Sequence, residues 1–152
     1  MKTRPDRALT APPQPTRRHR LRGSGRAQPV LLVVDDQISA RLLLKMLLEQ
    51  KGGVRVVDAE TSEQALRLAQ RRKFDFVISD IVRPGMDGLT FLRAFKKAHP
   101  SVPVMIVSGA LSPARRQRAY RLGASACYMK PIRANRLLRA VARALRWPSA
   151  NG

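Results

Sequence analysis

From Val30 onward, short apolar runs alternate with amphipathic stretches five times over. Val30-Leu31-Leu32-Val33-Val34 is apolar at every position, and Phe74-Asp75-Phe76-Val77-Ile78-Ser79 nearly so. Strands of that kind are covered on both faces, as in a parallel sheet flanked by helices. The pattern predicts strands over 30–34, 54–58, 74–79, 103–107 and 126–129, and helices over 38–50, 62–72, 88–98, 113–121 and 134–146. Five strand–helix units with short links predict an α/β fold, an open, doubly wound, five-stranded parallel sheet with five helices. Right-handed crossovers would put chemistry at the carboxyl ends of the strands, near the point where the winding reverses.

Local signals agree with these boundaries. Thr61 and Gln64 have capping-box spacing ahead of Ala65-Leu66. Ser112 before Pro113 reads as an N-cap with proline at the first helical position. Gly52-Gly53 and Gly123 fit helix ends that turn left-handed. Residues 1–28 hold Pro5, Pro12, Pro13, Pro15, Gly23 and Gly25 and too few apolar side chains to offset the entropy of ordering. They are expected to form a disordered basic tail, followed by one domain over 29–147 and a short C-terminal tail over 148–152. Trp147 is expected to cap the last helix. No apolar run is long enough to span a bilayer, and the residues at the N-terminus lack the apolar segment of a secretory signal, so a cytoplasmic chain is expected. The single Cys127 excludes an intrachain disulfide and suits a reducing cytoplasm.

Charge sharpens this picture. Residues 1–28 carry a net +7, residues 29–87 are neutral, and residues 88–152 carry thirteen Lys/Arg and no acid. The acids therefore gather where four predicted strand ends meet. Asp35 and Asp36 follow the first strand, Asp80 the third, Ser108 the fourth and Lys130 the fifth. Singly, each has a plain explanation as a cap, a turn residue or an exposed charge. Together they form one constellation at one sheet edge. Three clustered carboxylates repel unless a hard cation neutralises them, and Mg²⁺ favours oxygen ligands. Asp80 could then attack a phosphoryl group as a nucleophile, with the Lys130 ammonium and Ser108 hydroxyl on the phosphoryl oxygens.

Over residues 29–147 these features resemble the receiver domain of two-component response regulators. The matching pieces are Val34-Asp35-Asp36 with Arg41, Asp80 through Pro84 to Gly88, Ser108-Gly109-Ala110, and Gly123-Ala124 leading to Lys130-Pro131. The resemblance implies a flavodoxin-like sheet in the order 2-1-3-4-5. It implies that Asp80 accepts a phosphoryl group from a phosphohistidine on a sensor histidine kinase or histidine phosphotransfer protein. It also implies Mg²⁺ held by Asp36, Asp80 and the Val82 backbone carbonyl, with Asp35 acting through water, and a cis Lys130-Pro131 bond. The expected role is a stand-alone phosphoacceptor signalling module, not an enzyme with turnover on a separate substrate.

Three positions depart from the family pattern. Cys127 stands where the family has its switch aromatic, and alternation sends the neighbouring Tyr128 to the opposite face. Arg83 replaces a methionine and adds a cation near the site. Val82 and Ala110 are apolar where the family governs access of hydrolytic water, which predicts slow loss of the phosphoryl group.

In the last helix Arg136, Arg139, Arg143 and Arg146 share a stripe, opposite Leu137, Leu138, Val141 and Leu145. With Arg115, Arg116, Arg118 and Arg121 they make a cationic face over the fourth helix, fifth strand and fifth helix, the family's usual output and dimerisation surface. Such a face suits an acidic protein partner or a nucleic-acid backbone. Arg outnumbers Lys 23 to 7, so a plain solvated face competes with both. The absence of interleaved aromatics weighs against single-strand recognition, and an acidic protein is the favoured partner. Oligomeric expectations are a monomer or a phosphorylation-dependent dimer. Two rival functions are a basic nucleic-acid-binding regulator and an aspartyl-nucleophile phosphohydrolase. The latter commonly places a second Asp two residues after the nucleophile, where this chain has Val82.

Overall fold

A computed structural model describes residues 27–146; most of the basic tail, Trp147 and residues 148–152 lie outside that range. The elements run β1 Val30–Val34, α1 Ile38–Gly52, β2 Arg55–Ala59, α2 Ser62–Arg71, β3 Phe76–Ser79, α3 Gly88–Ala98, β4 Val104–Ser108, α4 Pro113–Arg121, β5 Ala126–Met129 and α5 Ala134–Leu145. All strand pairs are parallel, in the order β2-β1-β3-β4-β5. This is the order that the resemblance implied.

Alternation along each strand builds two apolar layers. Leu32, Val34, Val77, Val104, Ile106 and Cys127 face one layer, where Ala65, Ala69, Phe91, Phe95 and Ala119 from α2, α3 and α4 pack. Leu31, Val33, Phe76, Ile78, Met105 and Val107 face the other, closed by Leu48 of α1 and Leu137 and Val141 of α5. Phe91 and Phe95 are almost wholly buried, and burying each contributes roughly 2–3 kcal/mol.

Capping follows the sequence with one adjustment. Ser112 Oγ accepts from the Arg115 amide with Pro113 in the first turn, and Thr61 Oγ1 accepts from Gln64 N. Gln64 reaches back to the amide of Glu60, one residue ahead of the cap. Gly53 and Gly123 take the positive φ values of 65° and 101° that favour glycine. Strand limits shift by one or two residues. β3 begins at Phe76 because Phe74 and Asp75 form the entry, with Asp75 Oδ2 accepting the Val30 amide at 2.8 Å.

Register is what positions the chemistry. Val34 lies beside Ala59 on one side and Ser79 on the other, so β1 and β3 end level. The Asp35 amide donates to Ala59 O and the Asp80 amide to Val34 O, each at 3.1 Å. On the far side, Ser108 pairs with Met129, and the Lys130 amide donates to Ser108 O at 3.0 Å.

Candidate phosphoacceptor site

At the carboxyl edge of the sheet, the Lys130 ammonium lies between two carboxylates, 2.7 Å from Asp35 Oδ2 and 2.8 Å from Asp80 Oδ2. The side chains of Asp35 and Asp80 are only 3% and 12% exposed, so the pair is poorly screened by water. Asp80 Oδ1 accepts the backbone amides of Ile81 at 2.6 Å and Val82 at 3.2 Å. Asp35 Oδ1 accepts the amide of Gln37 at 2.9 Å. Ser108 is fully buried, and its Oγ accepts from the Ala110 amide at 3.3 Å. Lys130-Pro131 is cis.

Burial pushes the Asp80 carboxyl up, but hydrogen bonds from Lys130 and Ser108, the Lys130 charge and the Val82 amide outweigh it, and its pKa falls below the ordinary value. Burial likewise pushes Lys130 down, and its bonds and charge interactions with Asp35 and Asp80 reverse this into a raised pKa. A depressed carboxyl contributes stability above its unfolded pKa that is lost as pH falls through the folded value. A raised lysine contributes stability below its unfolded pKa that is lost as pH rises through the folded value. The pair is therefore fully stabilising between the carboxylate and lysine ranges. Urea unfolding should show stability declining below about pH 4, more shallowly in Asp80→Asn, which no longer has that carboxyl to protonate. Equal acid limbs in the two proteins would contradict the coupling.

Two buried arginines hold this edge from behind, a task that their place in the sequence does not reveal. Arg41 Nη1 donates to the Asp35 carbonyl oxygen at 2.8 Å while its Nε meets Asp58 Oδ2 at 3.0 Å. Arg83 Nη1 donates to the Asp80 carbonyl oxygen at 2.7 Å. The sequence predicts Arg83 as a cation near the site; it turns inward and is buried. The polar Ser79 ending an otherwise apolar strand is the one available signal, since its Oγ receives Arg83 Nη1 at 2.9 Å.

Asp35, Asp36, Asp80 and the Val82 carbonyl offer only oxygen, the donor type a hard divalent cation takes. In chemistry this set fits Mg²⁺. Among the described residues, no three acidic, His or Cys side chains are gathered to enclose an ion by themselves; the direct ligands that the resemblance implies are two carboxylates, Asp36 and Asp80, with the Val82 carbonyl. Unneutralised carboxylates repel, and Lys130 is the counter-ion for two of them, with half-buried Asp36 outside that pair.

The remaining predicted positions separate. Cys127 is buried on the α2–α3–α4 side, while Tyr128 packs on the α1–α5 side with Arg136 stacked 4.8 Å from its ring centroid. Burial raises the Cys127 pKa. Arg136, Arg139 and Arg143 are exposed on α5, and exposed Arg146 forms its left-handed cap one residue beyond the helix. Among the described residues, the ion pairs within 4 Å involve none of the arginines of α4 or α5. No helix among the described residues is long and apolar enough to cross a membrane.

Comparisons with known proteins agree with this geometry. The family model for the response regulator receiver domain matches residues 31–142. The response regulator protein FleR of Pseudomonas aeruginosa is 38% identical over 117 residues, 77% of this chain but 24% of FleR, so the chain spans about a quarter of that relative's length. The probable chemotaxis protein CheY of Rhizobium etli is 33% identical over 114 residues, 73% of this chain and 88% of the relative. A CheY-like receiver domain structure from Methanospirillum hungatei superposes with a TM-score of 0.77 at 28% identity, covering 79% of this chain and 95% of that one. With the family model spanning most of the chain and the sheet order matching, this protein belongs to the response regulator receiver domain family of two-component systems.

Proposed function

We propose that Asp80 accepts a phosphoryl group from a phosphohistidine donor, a sensor histidine kinase or a histidine phosphotransfer protein. The observation that carries this reading is the Lys130 ammonium bridging Asp35 and Asp80 at the carboxyl edge of the sheet. Asp80 is ionised at neutral pH, since the burial that pushes its pKa up is outweighed by Lys130, Ser108 and the Val82 amide, so an oxygen lone pair is available to phosphorus. The donor's P–N bond breaks as the new P–O bond forms, and the released imidazole takes up a proton from solvent. Lys130 and Ser108 hold the equatorial phosphoryl oxygens, and the Ile81 and Val82 amides keep the carboxylate oriented. Asp36, Asp80 and the Val82 carbonyl would hold Mg²⁺, with Asp35 acting through water, and the ion would supply charge neutralisation for the phosphoryl oxygens. The side chains of half-exposed Val82 and of Ala110 present no polar group to an attacking water, so the acyl phosphate is lost slowly.

Donor docking falls to α1, which starts directly after the acidic loop and exposes Ile38, Leu42, Leu43 and Met46. Signal output falls to the cationic α4–β5–α5 face, which suits an acidic protein partner. Affinity for that partner should drop steeply with added salt; insensitivity to ionic strength removes the electrostatic reading.

Treatment of the parent and Asp80→Asn with acetyl phosphate and Mg²⁺, followed by intact mass measurement, tests the acceptor. The parent should gain one phosphoryl mass and keep it for minutes or longer, and Asp80→Asn should gain none. Equal gain in both reassigns the acceptor, and decay within seconds contradicts slow loss.

A further inference from the structure

Arg83 leaves the loop after β3 and plunges under the acidic edge. Its Nη1 donates to the Asp80 carbonyl oxygen at 2.7 Å, to Ser79 Oγ at 2.9 Å and to the Val34 carbonyl oxygen at 3.3 Å. Its Nη2 donates to Ser62 Oγ at 2.6 Å, and the guanidinium lies 5.6 Å from the centroid of Phe91. Only 7% of the residue is exposed, and Nε is buried without a hydrogen-bond partner. A guanidinium in such a place remains charged, and its burial is costly unless negative charge lies close by. Burial pushes the Arg83 pKa down, and the charges of Asp80, Asp35, Asp36 and Asp87 offset that only in part. Three of the four belong to the acidic edge.

Coulombic coupling is mutual. If the acidic edge holds Arg83 in its charged state, Arg83 weakens the negative potential that the edge offers to any other cation. We propose that Arg83 is a positioning residue and built-in counter-ion: it anchors the Asp80 backbone and lowers the site's affinity for Mg²⁺, so that the acidic edge is held together without a metal. This rests on the reading of that edge as a Mg²⁺ site. A metal bound there then competes with a permanent charge in the core as well as with the Lys130 ammonium that bridges Asp35 and Asp80. Methionine at this position would supply similar volume with no charge.

Titration of the full chain with magnesium chloride by calorimetry tests this, using the parent, Arg83→Met, Arg83→Gln and Arg83→Lys. Removing the charge in Arg83→Met or Arg83→Gln should tighten Mg²⁺ binding about tenfold, and Arg83→Lys should stay within about twofold of the parent. Arg83→Gln keeps two amide N–H donors, enough for two of the three acceptors Ser62, Ser79 and the Asp80 carbonyl, so it reads charge even if the methionine variant folds poorly. Unchanged affinity on loss of the charge overturns the proposal, as does equal tightening in Arg83→Lys. No Mg²⁺ binding by any form also overturns it; the acetyl phosphate mass measurement on Asp80 then judges phosphoryl acceptance separately.

Discussion

Lys130→Met is expected to lower folding stability by about 2–4 kcal/mol at neutral pH and to slow phosphoryl acceptance by roughly 10²–10³-fold. The stability loss follows from what is left behind. Asp35 and Asp80 are nearly buried, and both rely on the same ammonium at 2.7 and 2.8 Å. Removing it strands two carboxylates in a poorly hydrated site, which costs more than the pair itself contributes. The rate loss follows from the same atom, because in the proposed reaction the ammonium on Asp80 would meet the charge that accumulates on the phosphoryl oxygens. Urea unfolding and the time course of mass gain with acetyl phosphate report the two effects. Adding Asp35→Asn to Lys130→Met should recover part of the stability but none of the rate. A single variant as stable as the parent would show that the bridge is incidental.

Gly88→Ala should cost about 3 kcal/mol and impair phosphoryl acceptance, although residue 88 touches no phosphoryl group. A β-carbon there would collide with the Asp80 carbonyl oxygen and lie 2.6 Å from Ile81 Cα. These obstacles are backbone atoms and cannot swing aside. The Gly88 amide also donates to Ile81 O at 2.7 Å, so the start of α3 is tied to the segment that carries Asp80. Relief of the clash therefore requires a shift of the backbone that carries Asp80. Gly109→Ala is the control: on its exposed loop nothing lies within 4 Å of where a β-carbon would sit, and the change should fall within about 0.5 kcal/mol. Thermal and urea unfolding of both variants separate the cases, and similar losses would contradict the close-approach explanation.

The layered sheet was legible because its signal is redundant. Runs such as Val30–Val34 and Val104–Ser108 are buried at nearly every position, and helix caps at Thr61 and Ser112 carry their own chemistry. The starts of β2 and β3 slipped because apolar character continues past the hydrogen-bonded ladder, as at Val54 and Phe74, while β4 runs on through polar Ser108. The acidic edge was legible as a coincidence of strand ends, and register then placed Asp35, Asp80, Ser108 and Lys130 together.

Charge placement was less legible. Periodicity marks Arg83 as polar in a loop and cannot distinguish a solvated cation from one roofing Phe91 and gripping two backbone carbonyls. Arg41 was visible as a motif residue, but its grip on Asp35 O and Asp58 depends on where β2 ends beside β1. Three acids in one region suggested a metal cluster, yet pairing is decided by which cation can reach them, and Lys130 arrives from ninety-five residues away along the chain.

Reductive trapping locates the phosphoryl group most directly. Borohydride converts an acyl phosphate on an aspartate to homoserine, and peptide mass mapping after acetyl phosphate and Mg²⁺ treatment reads which residue changed. Homoserine at position 80 alone is the result this account requires. Homoserine at position 35 or 36, or a phosphorylated chain that borohydride leaves unchanged, would contradict it.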